Sequence, residues 1–242
     1  MFAISCCRLF SVIVVVGWCA AAFAEALPEK LQQELDQGKT HLEGQYKEAK
    51  EILLKSFEKE INQTRSAPKL TAEEKQQKIG SLEAEKAILE KTGDIPFSPR
   101  MRDEAINYLN RIQKAEIALA KTYDRAIEYC TKQKDDETAR DLISQKKEAV
   151  APRVAAKWLV TVPAPPKFTW TLYTDGTTHH SVTGQKGSWS LGRQFLEVKT
   201  PGKMAPGGVW IDTCIISQDG LSFDAKNQKG NKLSAKRIIT VE

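Results

Sequence analysis

The chain has 242 residues, with 36 Lys+Arg against 31 Asp+Glu and a formal net charge of +5 at pH 7. That length makes one or two domains. Three histidines are few for a many-ligand metal centre at this size.

The first segment is not fold material. Arg8 precedes an apolar run, Leu9 to Trp18, and a small-residue stretch that ends Ala22-Phe23-Ala24. A basic start, a short apolar centre and an A-x-A end specify a secretory signal peptide over 1–24, cleaved after Ala24. The run is shorter than the roughly 20 residues a permanent anchor needs. The expected compartment is periplasmic, secreted or cell-surface, with no transmembrane segment after cleavage. Cys6, Cys7 and Cys19 leave with the signal. Cys130 and Cys214 remain, enough for one disulfide. The favoured expectation is that each packs as a small apolar side chain.

Residues 25–151 read as helical. Leu27 to about Arg65 carries Leu31, Leu35, Leu42, Tyr46, Ala49, Leu53, Phe57 and Ile61 at gaps of three, four and seven, one stripe on a long helix. Thr71 and Glu74 make a capping box for a second helix that runs to about Lys91, with Ile79, Leu82 and Leu89 as its stripe. Gly93 and Pro96 end it. Ser98-Pro99 opens a third helix to about Thr131. Asp135 or Asp136 caps a further piece that ends before Ala151-Pro152.

Residues 152–166, with Val162-Pro163-Ala164-Pro165-Pro166, read as a stiff linker. Residues 167–242 then alternate. Phe168, Trp170 and Leu172 share one strand face. Asp175-Gly176, Asp219-Gly220 and Lys229-Gly230-Asn231 mark turns. About seven short strands are expected, with Val209 to Ile216 the most apolar. The fold class is therefore α+β in separate domains. A long antiparallel helical hairpin or coiled coil, which self-association would complete, precedes a small antiparallel β-barrel or sandwich. A compact three- or four-helix bundle is the alternative for the helices.

Charge divides unevenly. Residues 25–166 balance at 25 Lys+Arg and 25 Asp+Glu, whereas 167–242 hold 10 against 6. The balanced part is a solvated surface, and no nucleic-acid partner is expected. The C-terminal excess permits an anionic partner without demanding one.

Reactive constellations are scarce. His41 stands alone, and the adjacent His179 and His180 point to opposite sides of a strand, so no metal site or cofactor is expected. No nucleophile elbow, cysteine–histidine signature or phosphate loop occurs, and no catalytic residue is assigned. Asp212 and Asp224 are the carboxylates left for a weak hydrolase reading. Trp170 and Trp189 are expected in the core. Tyr173 and Trp210, on the faces opposite Trp170 and Val209/Ile211, are the freer aromatics for stacking a ligand, with Arg193 as the basic residue of the set.

Phe97-Ser-Pro-Arg-Met-Arg, Tyr108-Leu109, Lys121 to Tyr129 and Lys147 to Pro152 carry one resemblance. Trp170, Asp175-Gly176-Thr177, Gly187-x-Trp189, Ser217-x-Asp219-Gly220 and Asn227-x-x-Gly230 carry the other. Together they resemble exported planctomycete-type proteins of unknown function, in which a helical coiled-coil segment precedes a small, lipocalin-like or barrel-like all-β module. The resemblance covers most of the mature chain and implies a fold, with no catalytic residues to carry over. Here Ala225 and Ala235 fall where that pattern has nearby glycines. The expected function is non-enzymatic: an exported structural or interaction protein whose β module binds an envelope or extracellular ligand such as a glycan. An accessory domain of a secreted hydrolase system is the alternative.

Overall fold

The computed structural model describes residues 27–163 and 167–239, so the signal-peptide reading lies outside the described residues. Among the described residues four α-helices come first: α1 (Glu29–Ser66), α2 (Ala72–Thr92), α3 (Arg102–Lys132) and α4 (Asp136–Ala149). Eight strands follow: β1 (Val154–Thr161), β2 (Phe168–Tyr173), β3 (Thr177–His180), β4 (Lys186–Leu191), β5 (Leu196–Pro201), β6 (Val209–Ile216), β7 (Ser222–Asn227) and β8 (Lys232–Ile238). They close into an antiparallel barrel in sequence order, with β8 returning to β1. Helices followed by a small β-barrel is the order the sequence pattern requires. Among the described residues no helix is long and apolar enough to cross a membrane.

The α1 stripe is buried from Leu35 through Ile61. It packs on α3, which runs antiparallel, as ion pairs spaced along the seam record: Arg125–Glu34 at 3.0 Å and Arg111–Glu48 at 2.7 Å. Exposed pairs of this kind mark the register and contribute little energy. Gly38 sits mid-helix because a Cβ there would lie 2.9 Å from Leu119 Cδ1. The expected hairpin is thus α1 with α3. α2 adds to α1 (Lys86–Glu58, 3.3 Å), and α4 folds back on α3 (Lys146–Asp124, 2.6 Å).

The caps follow the sequence. Thr71 Oγ1 accepts from the Glu74 N–H at 3.2 Å, and the Glu74 carboxylate accepts from the Thr71 N–H at 2.8 Å. Asp135 accepts from the Thr138 N–H. The third helix departs from expectation and starts at Arg102, not at Ser98-Pro99. Residues 98–101 form a turn, closed by the Met101 N–H donating to Ser98 O. Phe97 and Met101 are fully buried, and that packing fixes the segment as a loop.

The barrel also begins earlier than expected. β1 lies inside the stretch 152–166 read as linker, and it supplies Trp158, which is fully buried. A register shift between Val154 and Ala156 buries both Ala155 and Ala156, so the strand lacks clean alternation. Trp170 and Trp189 lie in the barrel core as expected, and the Trp189 indole N–H donates to Tyr173 O at 2.8 Å.

The helices close one mouth of the barrel. The loop between α2 and α3 enters it. The Ile95 N–H donates to Ala155 O, and the Phe97 ring stands 5.4 Å from Trp158 and 6.0 Å from Trp189, centroid to centroid. Behind Phe97 lies Arg237 of β8, whose side chain is wholly buried. It faces Glu85 of α2 at 3.8 Å and Asp94 at 3.5 Å and donates to Ile95 O at 2.7 Å. Glu85 in turn accepts from the Phe97 and Ser98 N–H groups.

Gly220 completes this contact. Its φ is +69°, and a Cβ would lie 2.0 Å from the Glu85 carboxylate. The Ser217-x-Asp219-Gly220 motif is therefore a turn shaped for docking the helices: Asp219 accepts from Ser217 Oγ and the Leu221 N–H, and Gly220 makes room for Glu85. Gly220→Ala should cost about 2 kcal/mol, combining left-handed strain with the displaced carboxylate. Urea denaturation measures it, and a loss below about 0.5 kcal/mol would contradict this account.

Candidate functional site

A concavity of about 520 Å³ lies where α1, α3 and the end of α2 meet β1, the end of β8 and the turn after β2. Its walls carry Lys47, Lys50, Lys91, Arg153 and Lys157 against Glu43 and Asp94. Helical periodicity puts Glu43, Tyr46, Lys47 and Lys50 on adjoining positions of α1. The outward alternation of β1 presents Lys157 beside them.

The charges are partly committed. Arg153 pairs with Glu43 at 2.9 Å and lies over the Tyr46 ring, 3.7 Å from its centroid. Lys50 donates to Glu90 O at the C-terminal end of α2, 3.1 Å away. Asp94 faces Arg237. Lys47, Lys91 and Lys157 have no ion-pair partner among the described residues. The groove therefore presents net positive charge around the Arg153 guanidinium, which lies over the buried Tyr46 ring.

The floor is polar and held in place. The Tyr46 hydroxyl donates to Glu116 at 2.5 Å. Burial, followed by that hydrogen bond, pushes the Tyr46 hydroxyl far above the usual tyrosine range. Burial raises Tyr108 to about 12, so its hydroxyl stays a neutral donor at any physiological pH. Burial also raises the Glu116 carboxyl, although its bond to Tyr46 opposes this.

The residues singled out from the sequence are not brought together. Tyr173 ends β2 and Arg193 lies between β4 and β5, both at the helix-capped end of the barrel. Arg193 is mostly exposed, with Asp103 at 3.7 Å, and its carbonyl accepts from Arg102 at 2.9 Å. Trp210 is at the start of β6, at the opposite mouth, with the Lys229 ammonium 5.2 Å from its ring. The expected inward side of β6 is also reversed. Asp212, Cys214 and Ile216 are buried, while Thr213 and Ile215 are exposed. Register with β5 and β7 decides this, because both sides of the strand carry apolar residues.

Asp212 and Asp224 consequently point to opposite sides of the barrel wall, and the two carboxylates do not form a pair. Cys130 and Cys214 are free and buried, and burial pushes both thiols up, away from thiolate chemistry. His180 stacks on Phe168 at 4.0 Å, and its Nδ1 accepts from the Val182 and Thr183 N–H groups. Among the described residues no group of three or more His, Cys, Asp or Glu is placed to hold a metal ion.

Sequence reasoning missed the groove because its residues come from five elements and no local motif joins them. One signal pointed to the adjoining contact of helices and barrel, and not to the groove: Glu85 occupies the buried side of α2 between Leu82 and Leu89, where a carboxylate demands a buried partner. Comparison with family models, curated proteins and solved structures finds no match to this chain.

Proposed function

We propose that this is an exported, non-catalytic binding protein that takes an anionic envelope or extracellular ligand in the groove between its helices and its barrel. The observation that carries this reading is the set of three unpaired lysines around Arg153 and Tyr46. Lysine ammoniums supply charge-assisted hydrogen bonds to carboxylate, sulfate or phosphate oxygens. The Arg153 guanidinium, laid over the buried Tyr46 ring, adds planar donors at the same place. Because both halves of the molecule line the groove, a bound ligand would bridge them and stabilise their contact. Export rests on the signal-like segment 1–24, and the planctomycete-type resemblance agrees with it.

The test is calorimetric titration with a short oligogalacturonate and with a neutral oligosaccharide of equal length. The acidic sugar should bind, more weakly as salt rises. Lys91→Gln combined with Lys157→Gln should weaken it at least about tenfold, the loss of one charged hydrogen bond. Equal binding of the neutral sugar, or an unchanged affinity in the variant, would defeat the assignment.

A further inference from the structure

The positive charge continues beyond the groove. Lys157 lies beside Ile238 on the outer surface of the barrel. Two residues along β8 is Lys236, flanked by Leu159 and Ser222, and four further is Lys232, directly opposite Lys226 of β7. The turn between β7 and β8 then brings Lys229 over Trp210 at the far mouth. The lysines of β7, β8 and this turn are all exposed. From Lys232 to Ile238 the seven residues of β8 run about 20 Å at the usual rise of a strand.

This arrangement is not explained by folding. Like charges directly opposite on neighbouring strands destabilise a sheet, and Lys226 and Lys232 are such a pair. One acid, Asp224, lies within the row, opposite Ser234, and no ion pair within 4.0 Å joins it to a lysine. Lys157, Lys226, Lys232 and Lys236 likewise have no ion-pair partner among the described residues.

We infer that this row is the continuation of the groove, and that the ligand is an extended acidic polysaccharide which leaves the groove along β8 and ends at Trp210. The inference rests on the groove reading and adds the polymeric class of the ligand. An acidic polysaccharide fits better than a nucleic acid, because the outward positions between Lys157 and Trp210 carry Leu, Ile, Ser, Thr and Asp, with no aromatic platform on which bases stack. Trp210 at the end is a half-buried ring at the rim of the far mouth with a cation beside it, suited to one terminal sugar turning over the rim.

The experiment uses the intact protein, a series of oligogalacturonates of increasing length, and single-stranded DNA of matched charge. Affinity should rise with sugar length until the chain spans the row, then level off. Lys226→Gln, Lys232→Gln and Lys236→Gln together should abolish the length dependence, cut long-chain affinity at least about tenfold at low salt and flatten its salt dependence. The triple variant should leave the shortest oligomer unaffected and keep or raise the melting temperature, since it removes a like-charge pair. Length-independent affinity with an unaffected triple variant would overturn the polymer inference and leave the groove reading intact. No binding at any length would overturn both. Tighter binding of the DNA would overturn the polysaccharide class.

Discussion

Arg237→Ala should lower stability by about 3–5 kcal/mol, the cost of stripping a buried charge of its partner. Arg237 is the only cation facing both Glu85 and Asp94 across the contact of helices and barrel among the described residues. Removing it leaves two carboxylates in a site where burial already raises both of them above the usual carboxylate range. It also removes the donor to Ile95 O and the guanidinium over Phe97, 5.4 Å from the ring centroid. Urea denaturation, followed by helical circular dichroism and by tryptophan fluorescence, measures the effect. Helical dichroism reports mainly the four helices, and Trp158, Trp170 and Trp189 report the barrel. In the wild type the two transitions should coincide, because the loop between α2 and α3, seated in the barrel mouth, makes one cooperative unit. In Arg237→Ala both should shift to lower urea or separate.

A second variant distinguishes lost charge balance from lost volume. Arg237→Met with Glu85→Gln and Asp94→Asn keeps the space filled and removes the three charges of the cluster. It should recover most of the lost stability, since buried ion pairs often cost as much in desolvation as they return. A loss under about 1 kcal/mol in Arg237→Ala would mean that Phe97 and Met101 alone hold the halves together. The groove would register the change too, because Asp94 forms part of its wall. An interface loosened at Arg237 would misplace Lys91 against Lys157, and acidic-sugar affinity would fall with stability.

The distinction between legible and illegible features follows the range of the interaction. The α1 stripe, the Thr71–Glu74 box and the Asp-Gly turns depend on neighbours within a few residues, and each forms as its local chemistry dictates. β1 escaped because Pro152 and Pro163 flank it and a bulge breaks its alternation. Arg237 escaped because Lys236-Arg237 reads as a solvated basic pair. Its burial depends on Glu85, far away in sequence. The groove was illegible for the same reason: Lys47, Lys91 and Lys157 each look like ordinary surface lysines until α1, α2 and β1 converge. The C-terminal charge excess was visible as a number, but its concentration along β7 and β8 required the register.

Asp212→Asn should stabilise the protein by about 2–3 kcal/mol above pH 7, which is unusual for a substitution in a core. Asp212 is 5% exposed, on the inward side of β6, two residues before Cys214, with no hydrogen-bond partner for its carboxylate among the described residues. Burial alone raises its pKa from 3.8 to about 6. The folded state thus prefers the neutral acid. Its contribution to stability is complete below about pH 4, declines as pH rises towards 6, and is a constant penalty beyond that. The difference between variant and wild type should therefore be near zero at pH 4 and reach its full size by pH 7, because Asn carries no charge to desolvate. Taking this difference removes the shared titration of Glu85, Asp94 and Glu116, whose carboxyls burial also raises. Thermal melts across that range provide the measurement. Asp212→Asn being less stable than wild type at pH 7 would reverse the conclusion. The carboxylate would then have a favourable counterpart inside the barrel, and the unpaired hydroxyls of Thr178 and Thr200 and indole N–H of Trp170 would become the first groups to examine as its neighbours.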